Sequence, residues 1–299
     1  MHADRRTILL GAGALGLTAG CAAEVPSKVD QALDLSGLEA RHGGRLGFVL
    51  QGPHGRLLWR ADERFTYCST FKLFLAAATL QRVARGEERL DRAIPITAAD
   101  MISHAPVTEP AVGSSLTIQK LCEAAVTVSD NPAANILIRE MGGLDAWRMW
   151  YRAIGDQVTR VDRWEPQLNI VGGDMDTTTP AQTAHNLAWL QPEVFKPAAS
   201  APHMIMWASS PAGAGRIRAA LDPQEWALLH KTGTGGSGPT NDIGYLVPKR
   251  DGKAAASSAV HTAMPIAVYY EATSESTPEQ RDAVIADATR LALKALGHG

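Results

Sequence analysis

Apolar positions along the chain fall into three stretches of different period. Between Asp30 and Glu39 the leucines Leu33, Leu35 and Leu38 predict a helix, and the apolar run within Arg45–Gln51 predicts a strand. Gly52-Pro53-His54-Gly55 reads as a turn and Arg56–Ala61 as the returning strand, which makes a hairpin. The middle of the chain is helical in pattern. Alanine- and leucine-rich windows cover Thr70–Arg85, Thr117–Val128, Pro132–Met141, Leu144–Ile154 and Thr179–Leu190, with Gly and Pro between them. Thr117 and Thr179 stand as N-caps, and Pro180 takes the first helical position. Strand patterns return at Trp226–Thr232, Asp242–Val247 and Met264–Tyr270, and an amphipathic helix covers Pro278–Leu296. The small-residue segment Ala254–Val260 reads as a surface turn, and no internal repeat is present. The chain therefore leaves a sheet, builds a helical layer and comes back to the sheet.

A chain of 299 residues buries roughly 75% of its unfolded surface, so packing alone can hold it together. Hydrophobic residues are 45% and charged residues 20%, which excludes the disordered and fibrous classes. With 29 basic against 31 acidic residues and no basic stripe interleaved with aromatics, a nucleic-acid partner is not expected.

The first two dozen residues differ from the rest. Arg5-Arg6 precede Thr7-Ile8-Leu9-Leu10 and a small apolar run to Gly20, a pattern that reads as an export signal. The run is too short to span a membrane as a helix of the mature protein. The paired arginines resemble a twin-arginine signal, although an ordinary basic head fits too. Leu17-Thr18-Ala19-Gly20-Cys21 resembles a lipobox, with Thr18 unusual there. Cys21 is thus a candidate lipidation site and membrane tether; cleavage after Ala23 is the alternative. An exported, periplasmic protein is expected either way. Cys68 and Cys122 remain, too few for a disulfide framework.

Three short motifs could carry chemistry. Ser69-Thr70-Phe71-Lys72 opens a predicted helix, so an amine three residues on can reach the hydroxyl, and the helix N-terminus favours a developing oxyanion. That spacing alone is expected about once by chance in a chain this long. Ser129-Asp130-Asn131 lies between helices and could equally be a cap. Lys231-Thr232-Gly233-Thr234-Gly235-Gly236 ends a strand with glycines that admit close approach of another molecule, or simply make a turn.

Together and in this order, the three motifs resemble the signature of the class A serine β-lactamases and penicillin-binding proteins. A fourth, Arg163-Trp164-Glu165-Pro166-Gln167-Leu168-Asn169, resembles the omega loop of the β-lactamases, and the likeness covers nearly the whole mature chain. It implies an α/β fold of the α+β type: a five-stranded antiparallel sheet flanked by helices, an all-helical domain, and an active site in the cleft between them. The corresponding domain division is 1–23 for the signal peptide, 24–62 with 210–299 for the α/β domain, and 63–209 for the helical domain, which includes the omega loop 163–176.

The resemblance also implies the chemistry. Ser69 would be the nucleophile, and its own N–H with that of Thr234 would form the oxyanion hole. Lys72 and Glu165 are both candidates for the acylation base, while Glu165 with Asn169 would activate the deacylating water. Ser129 would protonate the leaving nitrogen, and Asn131 would hold the substrate's side-chain amide. Lys231, Thr232, Gly233 and Thr234 would face the substrate carboxylate, with Arg216 as a second cation; Arg216 and Arg218 on a plain helix end is the alternative. Arg163 and Asp176 would form the ion pair that pins the omega loop, and His104 falls at the cleft-edge position usually held by an aromatic.

Some features depart from the family. The segment between Asn169 and Asp176 looks two residues shorter than in common members. Cys68 matches one end of a family disulfide whose partner position is Gly235 here, and Cys122 one end of another whose partner is Ala76, so both thiols are expected to be free. The nine histidines are scattered, and neither a metal nor another cofactor is expected. Small-molecule β-lactams are the expected partners of a monomeric enzyme. Two rivals share the first three motifs: a penicillin-binding D-Ala-D-Ala peptidase and a non-hydrolysing β-lactam sensor.

Overall fold

The computed structural model describes residues 29–195, 201–236, 238–250, 253–254, 262–273 and 275–298, so the segment that the sequence pattern reads as an export signal, with Arg5, Arg6 and Cys21, lies outside the described residues. Where the leucine spacing predicts one helix from Asp30 to Glu39, the chain forms the short strand β1 (Gln31–Ala32) and then helix α1 (Ser36–His42). Leu33 and Leu35 are two apart and both buried, which is the period of extended chain rather than helix. Leu33 N donates to Leu58 O at 2.9 Å, and Asp34 Oδ1 accepts from Ser36 N at 2.9 Å to start the helix later.

The hairpin forms as predicted from β2 (Arg45–Gly52) and β3 (Gly55–Trp59). It ends short of Ala61 because Arg60, at φ 42°, turns left-handed. After β4 (Phe65–Thr66), one 3₁₀ turn over Cys68–Thr70 leads into α2 (Phe71–Ala84). The small strands β5 (Ala93–Pro95) and β6 (Ser115–Thr117) pair with each other. Helix α3 (Ile118–Thr127) starts where Thr117 accepts from Lys120 N, as expected of an N-cap. Asp130 caps α4 (Asn131–Met141), and Gly142 at φ 117° ends it before α5 (Leu144–Ala153). Strand β7 (Thr177–Thr178) pairs with β4, and α6 (Pro180–Phe195) begins at Thr179, whose Oγ1 accepts from Gln182 N at 3.1 Å. Helix α7 (Ala201–Ala208), unforeseen from the pattern, precedes the return to the sheet. That return comprises β8 (Trp226–Thr234), β9 (Pro239–Arg250), β10 (Lys253–Ala254), β11 (Met264–Glu271) and the closing helix α8 (Pro278–Ala295). Of the predicted surface turn, residues 255–260 lie outside the described residues.

The five long strands β3, β2, β11, β9 and β8 are neighbours in that order and antiparallel throughout. Two short additions correct the purely antiparallel, five-stranded expectation: β1 joins β3 in parallel, and β10 pairs with the far end of β9. One face of the sheet packs on α1 and α8 through Leu38, Phe48, Ile266, Val268, Ile285 and Leu293. The other face shares one continuous core with the helical layer, in which Leu229, Ile243 and Tyr269 of the sheet join Phe71, Leu121 and Trp147. Among the described residues strand β8 pairs only with β9, and its other edge turns toward the start of α2.

Candidate active site

Ser69 lies in the 3₁₀ turn that feeds α2, so it stands at the positive end of a fourteen-residue helix. The turn is pinned from both sides. Thr70 Oγ1 donates to Tyr67 O at 2.8 Å, and Asn241 Nδ2 of β9 donates to Thr66 O at 2.9 Å and Tyr67 O at 3.1 Å. The end of β8 closes against it so tightly that a Cβ on Gly233 would stand 2.8 Å from Tyr67 O. Glycine is therefore required where the edge strand passes the nucleophile.

Next to Ser69 lies a fully buried Lys72. Its ammonium meets Ser129 O at 2.8 Å, Asn131 Oδ1 at 2.5 Å, Ser129 Oγ at 3.3 Å and Glu165 Oε1 at 3.0 Å. The Ser69 hydroxyl donates to the same Glu165 Oε1 at 3.4 Å. The expected reach of Lys72 to Ser69 is thus replaced by a carboxylate that both share. Burial lowers the Lys72 ammonium from the ordinary lysine value, opposed by the Glu165 charge. Lys231 approaches from β8, 3.2 Å from Ser129 Oγ and 2.7 Å from Thr232 O. Burial and the neighbouring Lys72 and Arg216 charges bring it down to about 7. Asn131 also donates to Ser103 O at 2.9 Å, which leaves one amide hydrogen for a ligand.

Glu165 arrives on the omega loop through a cis bond to Pro166. Asn135 grips its backbone at both ends, Oδ1 accepting from Glu165 N at 3.1 Å and Nδ2 donating to Glu165 O at 3.0 Å. Asn169 Nδ2 donates to Glu165 Oε2, and Asn169 Oδ1 is buried without a protein partner among the described residues. Arg163 Nε pairs with the fully buried Asp176 at 2.5 Å, as the resemblance implies. The same carboxylate accepts from the N–H groups of Asp162 and Arg163 at 2.9 and 3.0 Å and from the Tyr67 hydroxyl at 3.2 Å. The short segment between turns tightly at Gly172–Asp174. On the cleft side the loop lies against β8, where a Cβ on Gly235 would stand 2.6 Å from Asn169 O.

Arg216 is buried behind the end of β8 rather than lying on a plain surface. Its guanidinium donates to Gly233 O at 3.0 Å, Asn241 O at 2.8 Å and Thr234 Oγ1 at 2.8 Å, and pairs with Asp282 of α8 at 2.7 Å. Thr232 presses on Gly213, where a Cβ would come within 2.4 Å of its methyl group. The exposed His104 ring is tied to Val128 O at 2.8 Å, and its backbone O accepts from Asn131 N at 2.9 Å, so it borders the Ser129 loop. Cys68 and Cys122 are free and buried. Burial raises both thiols above the usual cysteine value, Cys122 to about 12. Sequence reasoning missed Asn135, Asn241, Asp282 and the buried pair His230 and Asp242. Only Asn135 left a signal, one helical turn beyond Asn131 on the same face of α4.

Residues 31–296 match the beta-lactamase enzyme family. A reconstructed ancestral class A β-lactamase is 44% identical, with a TM-score of 0.78 over 87% of this chain and 98% of that one. The chain belongs to the class A β-lactamases. It is also similar to β-lactamase AST-1 of Nocardia asteroides, 36% identical over 99% of this chain and 97% of the relative. A β-lactamase structure from Xanthomonas campestris is 37% identical over 88% of this chain and 96% of that one, with a TM-score of 0.78. Among the described residues of this β-lactamase, no group of three or more His, Cys, Asp or Glu side chains is arranged to take a metal ion.

Proposed function

We propose that this class A β-lactamase opens penicillin- and cephalosporin-type rings through an acyl-enzyme on Ser69, which Glu165 then clears, and so confers antibiotic resistance. The observation that carries the reading is the single carboxylate oxygen, Glu165 Oε1, within 3.4 Å of the Ser69 hydroxyl and 3.0 Å of the Lys72 ammonium.

In acylation the Ser69 oxygen bonds to the lactam carbonyl carbon while its proton passes to a base. Glu165 is favoured for that step because it already accepts the Ser69 hydroxyl, whereas the hydrogen bonds of the Lys72 amine go to Ser129 and Asn131. The backbone N–H groups of Ser69 and Thr234 take the oxyanion, a contribution of about 3–4 kcal/mol by analogy with other acyl-transfer enzymes. The ring C–N bond then breaks and Ser129 gives its proton to the nitrogen, taking one in turn from Lys72, to which Glu165 passes the proton it gained from Ser69 and so becomes a carboxylate again. Lys231, Thr232 and Arg216 set the substrate carboxylate, and Asn131 offers its remaining amide hydrogen to the side chain. His104 borders the same edge.

In deacylation a water between Glu165 and the free acceptor Asn169 Oδ1 loses a proton to Glu165 and attacks the ester, and Ser69 leaves with the proton restored. We also read the N-terminal segment as an export signal to the periplasm, cleaved either ahead of Cys21, which then carries a lipid anchor, or after Ala23 without one, and the mature enzyme as a monomer. Mass spectrometry of the membrane fraction tests the anchor: a mature N-terminus beyond Cys21 rules it out. Mixing residues 24–299 with excess penicillin while following ring opening and intact mass tests the catalytic reading. Many turnovers with little standing adduct support it. One stoichiometric burst with a lasting adduct means a penicillin-binding peptidase or a sensor instead.

A further inference from the structure

His230 immediately precedes Lys231 in β8, so the two side chains point to opposite faces of the sheet. The ring is 1% exposed and lies 2.7 Å, through Nδ1, from Oδ1 of the fully buried Asp242 on β9. The other oxygen of Asp242 accepts from Ile217 N at 3.3 Å. Nε2 has two neighbours with opposite demands. Ser210 O, at 3.2 Å, only accepts, and Arg218 Nη2, at 3.3 Å, only donates. A neutral ring with its proton on Nδ1 donates to Asp242 and accepts from Arg218. A doubly protonated ring must donate to Ser210 O and confront the guanidinium.

Ile217 and Arg218 belong to the 3₁₀ turn Ile217–Ala220, and Arg216 is the residue that opens it. The ring and Asp242 therefore fasten that turn to β8 and β9 and set where Arg216 leaves the turn to reach Gly233 O and Thr234 Oγ1. Ser210 ties the same cluster to the Ser129 side, since its Oγ donates to Thr127 O at 2.8 Å. The charged groups around the ring are Asp242 from β9 and Arg218 from the turn. Beyond them stands Arg216 with Asp282 of α8, and Lys231 lies on the other face.

We propose that His230, as the neutral Nδ1–H tautomer, is a positioning residue for the carboxylate-binding side of the cleft, and that removing its contact to Arg218 loosens Arg216. The proposal rests on the reading of Arg216 as a cation facing the substrate carboxylate. Its effect falls on substrate affinity and leaves the Ser69, Lys72 and Glu165 chemistry alone. KM for a penicillin therefore rises when that contact is removed, while kcat is unaffected.

The test uses the whole mature chain. Imidazole ¹⁵N shifts report the His230 tautomer, and kcat and KM are measured at one pH in the wild type, His230→Asn and Arg216→Ala. Asparagine keeps a donor for Asp242 but is too short to bring an acceptor to Arg218. We expect the Nδ1–H form in the wild type, and in His230→Asn a KM raised about five-fold, the size of one modest hydrogen bond, with kcat at the wild-type value. An Nε2–H tautomer, or an unchanged KM in His230→Asn, overturns the proposal, and the tautomer decides even if the variant does not fold. An Arg216→Ala enzyme with unchanged KM overturns the carboxylate reading of Arg216 itself, a failure distinct from that of His230.

Discussion

Removing the carboxylate of Asp176 should release the loop that carries Glu165. One oxygen accepts from Asp162 N, Arg163 N and the Tyr67 hydroxyl, and the other takes Arg163 Nε. Asp176→Asn can keep the first three on its amide oxygen, and asparagine tolerates the φ of 52° at this position. Its amino group then faces the guanidinium, and the charge-assisted bond is lost at a cost of about 2 kcal/mol. Asp176→Ala removes all four bonds and leaves Arg163, only 21% exposed, without its counter-ion. That costs about 3–5 kcal/mol, the range for breaking a buried pair. At about 2–4 °C per kcal/mol for a chain of this order of size, the midpoint falls by about 4–8 °C for the asparagine variant and about 6–20 °C for alanine. Thermal unfolding gives those shifts, and rapid mixing with penicillin followed by intact-mass analysis shows whether the acyl-enzyme now persists. An alanine variant that melts within about 1 °C of wild type, with unchanged turnover, would refute the idea that this carboxylate holds the loop.

Asn135→Ala strips both backbone anchors from Glu165 and should lower kcat about ten-fold or more with KM little changed, as a loss of about 1–3 kcal/mol of positioning implies; equal loss in KM would point to substrate contact instead. Lys231, brought from 10.5 to about 7, loses its proton as pH rises through about 7, so kcat/KM for an anionic β-lactam should fall on that limb. Lys231→Arg should abolish the limb, because guanidinium stays charged. Between about 7 and 10.5 the unfolded chain holds the Lys231 proton better than the folded one, so this group makes folding stability rise with pH across that window, which urea titrations at several pH values can read. Gly213→Ala places a methyl on Thr232 at a φ of 67° and should raise KM more than it lowers kcat in steady-state assays.

What the sequence made legible follows from where the information is local. Ser69, Lys72, Ser129, Lys231 and the Glu165 loop stand in short contiguous motifs, and the long strands and helices carry strong periodic patterns. Asn135 shares a face of α4 with Asn131, but its work is done on the backbone of a loop thirty positions away, so the spacing gives its place and not its role. His230 reads as one more apolar-facing position in β8, and only the pairing of β8 with β9 brings Asp242 beside it. The helix expected over Asp30–Glu39 failed because two leucines two apart were taken for a helical stripe, whereas the edge of β3 offered Leu58 O to an extended chain.

The core that joins the helical layer to the sheet has a mechanical consequence. Leu229, Ile243 and Tyr269 are packed among helical side chains, so the walls of the cleft cannot swing apart without tearing a continuous apolar seam. Among the described residues that seam leaves the two walls no hinge about which to close on a substrate. Selectivity then lies in a mould already set before the antibiotic arrives, with the omega loop, held between Gly235 and the Arg163–Asp176 pair, as a fixed part of its rim.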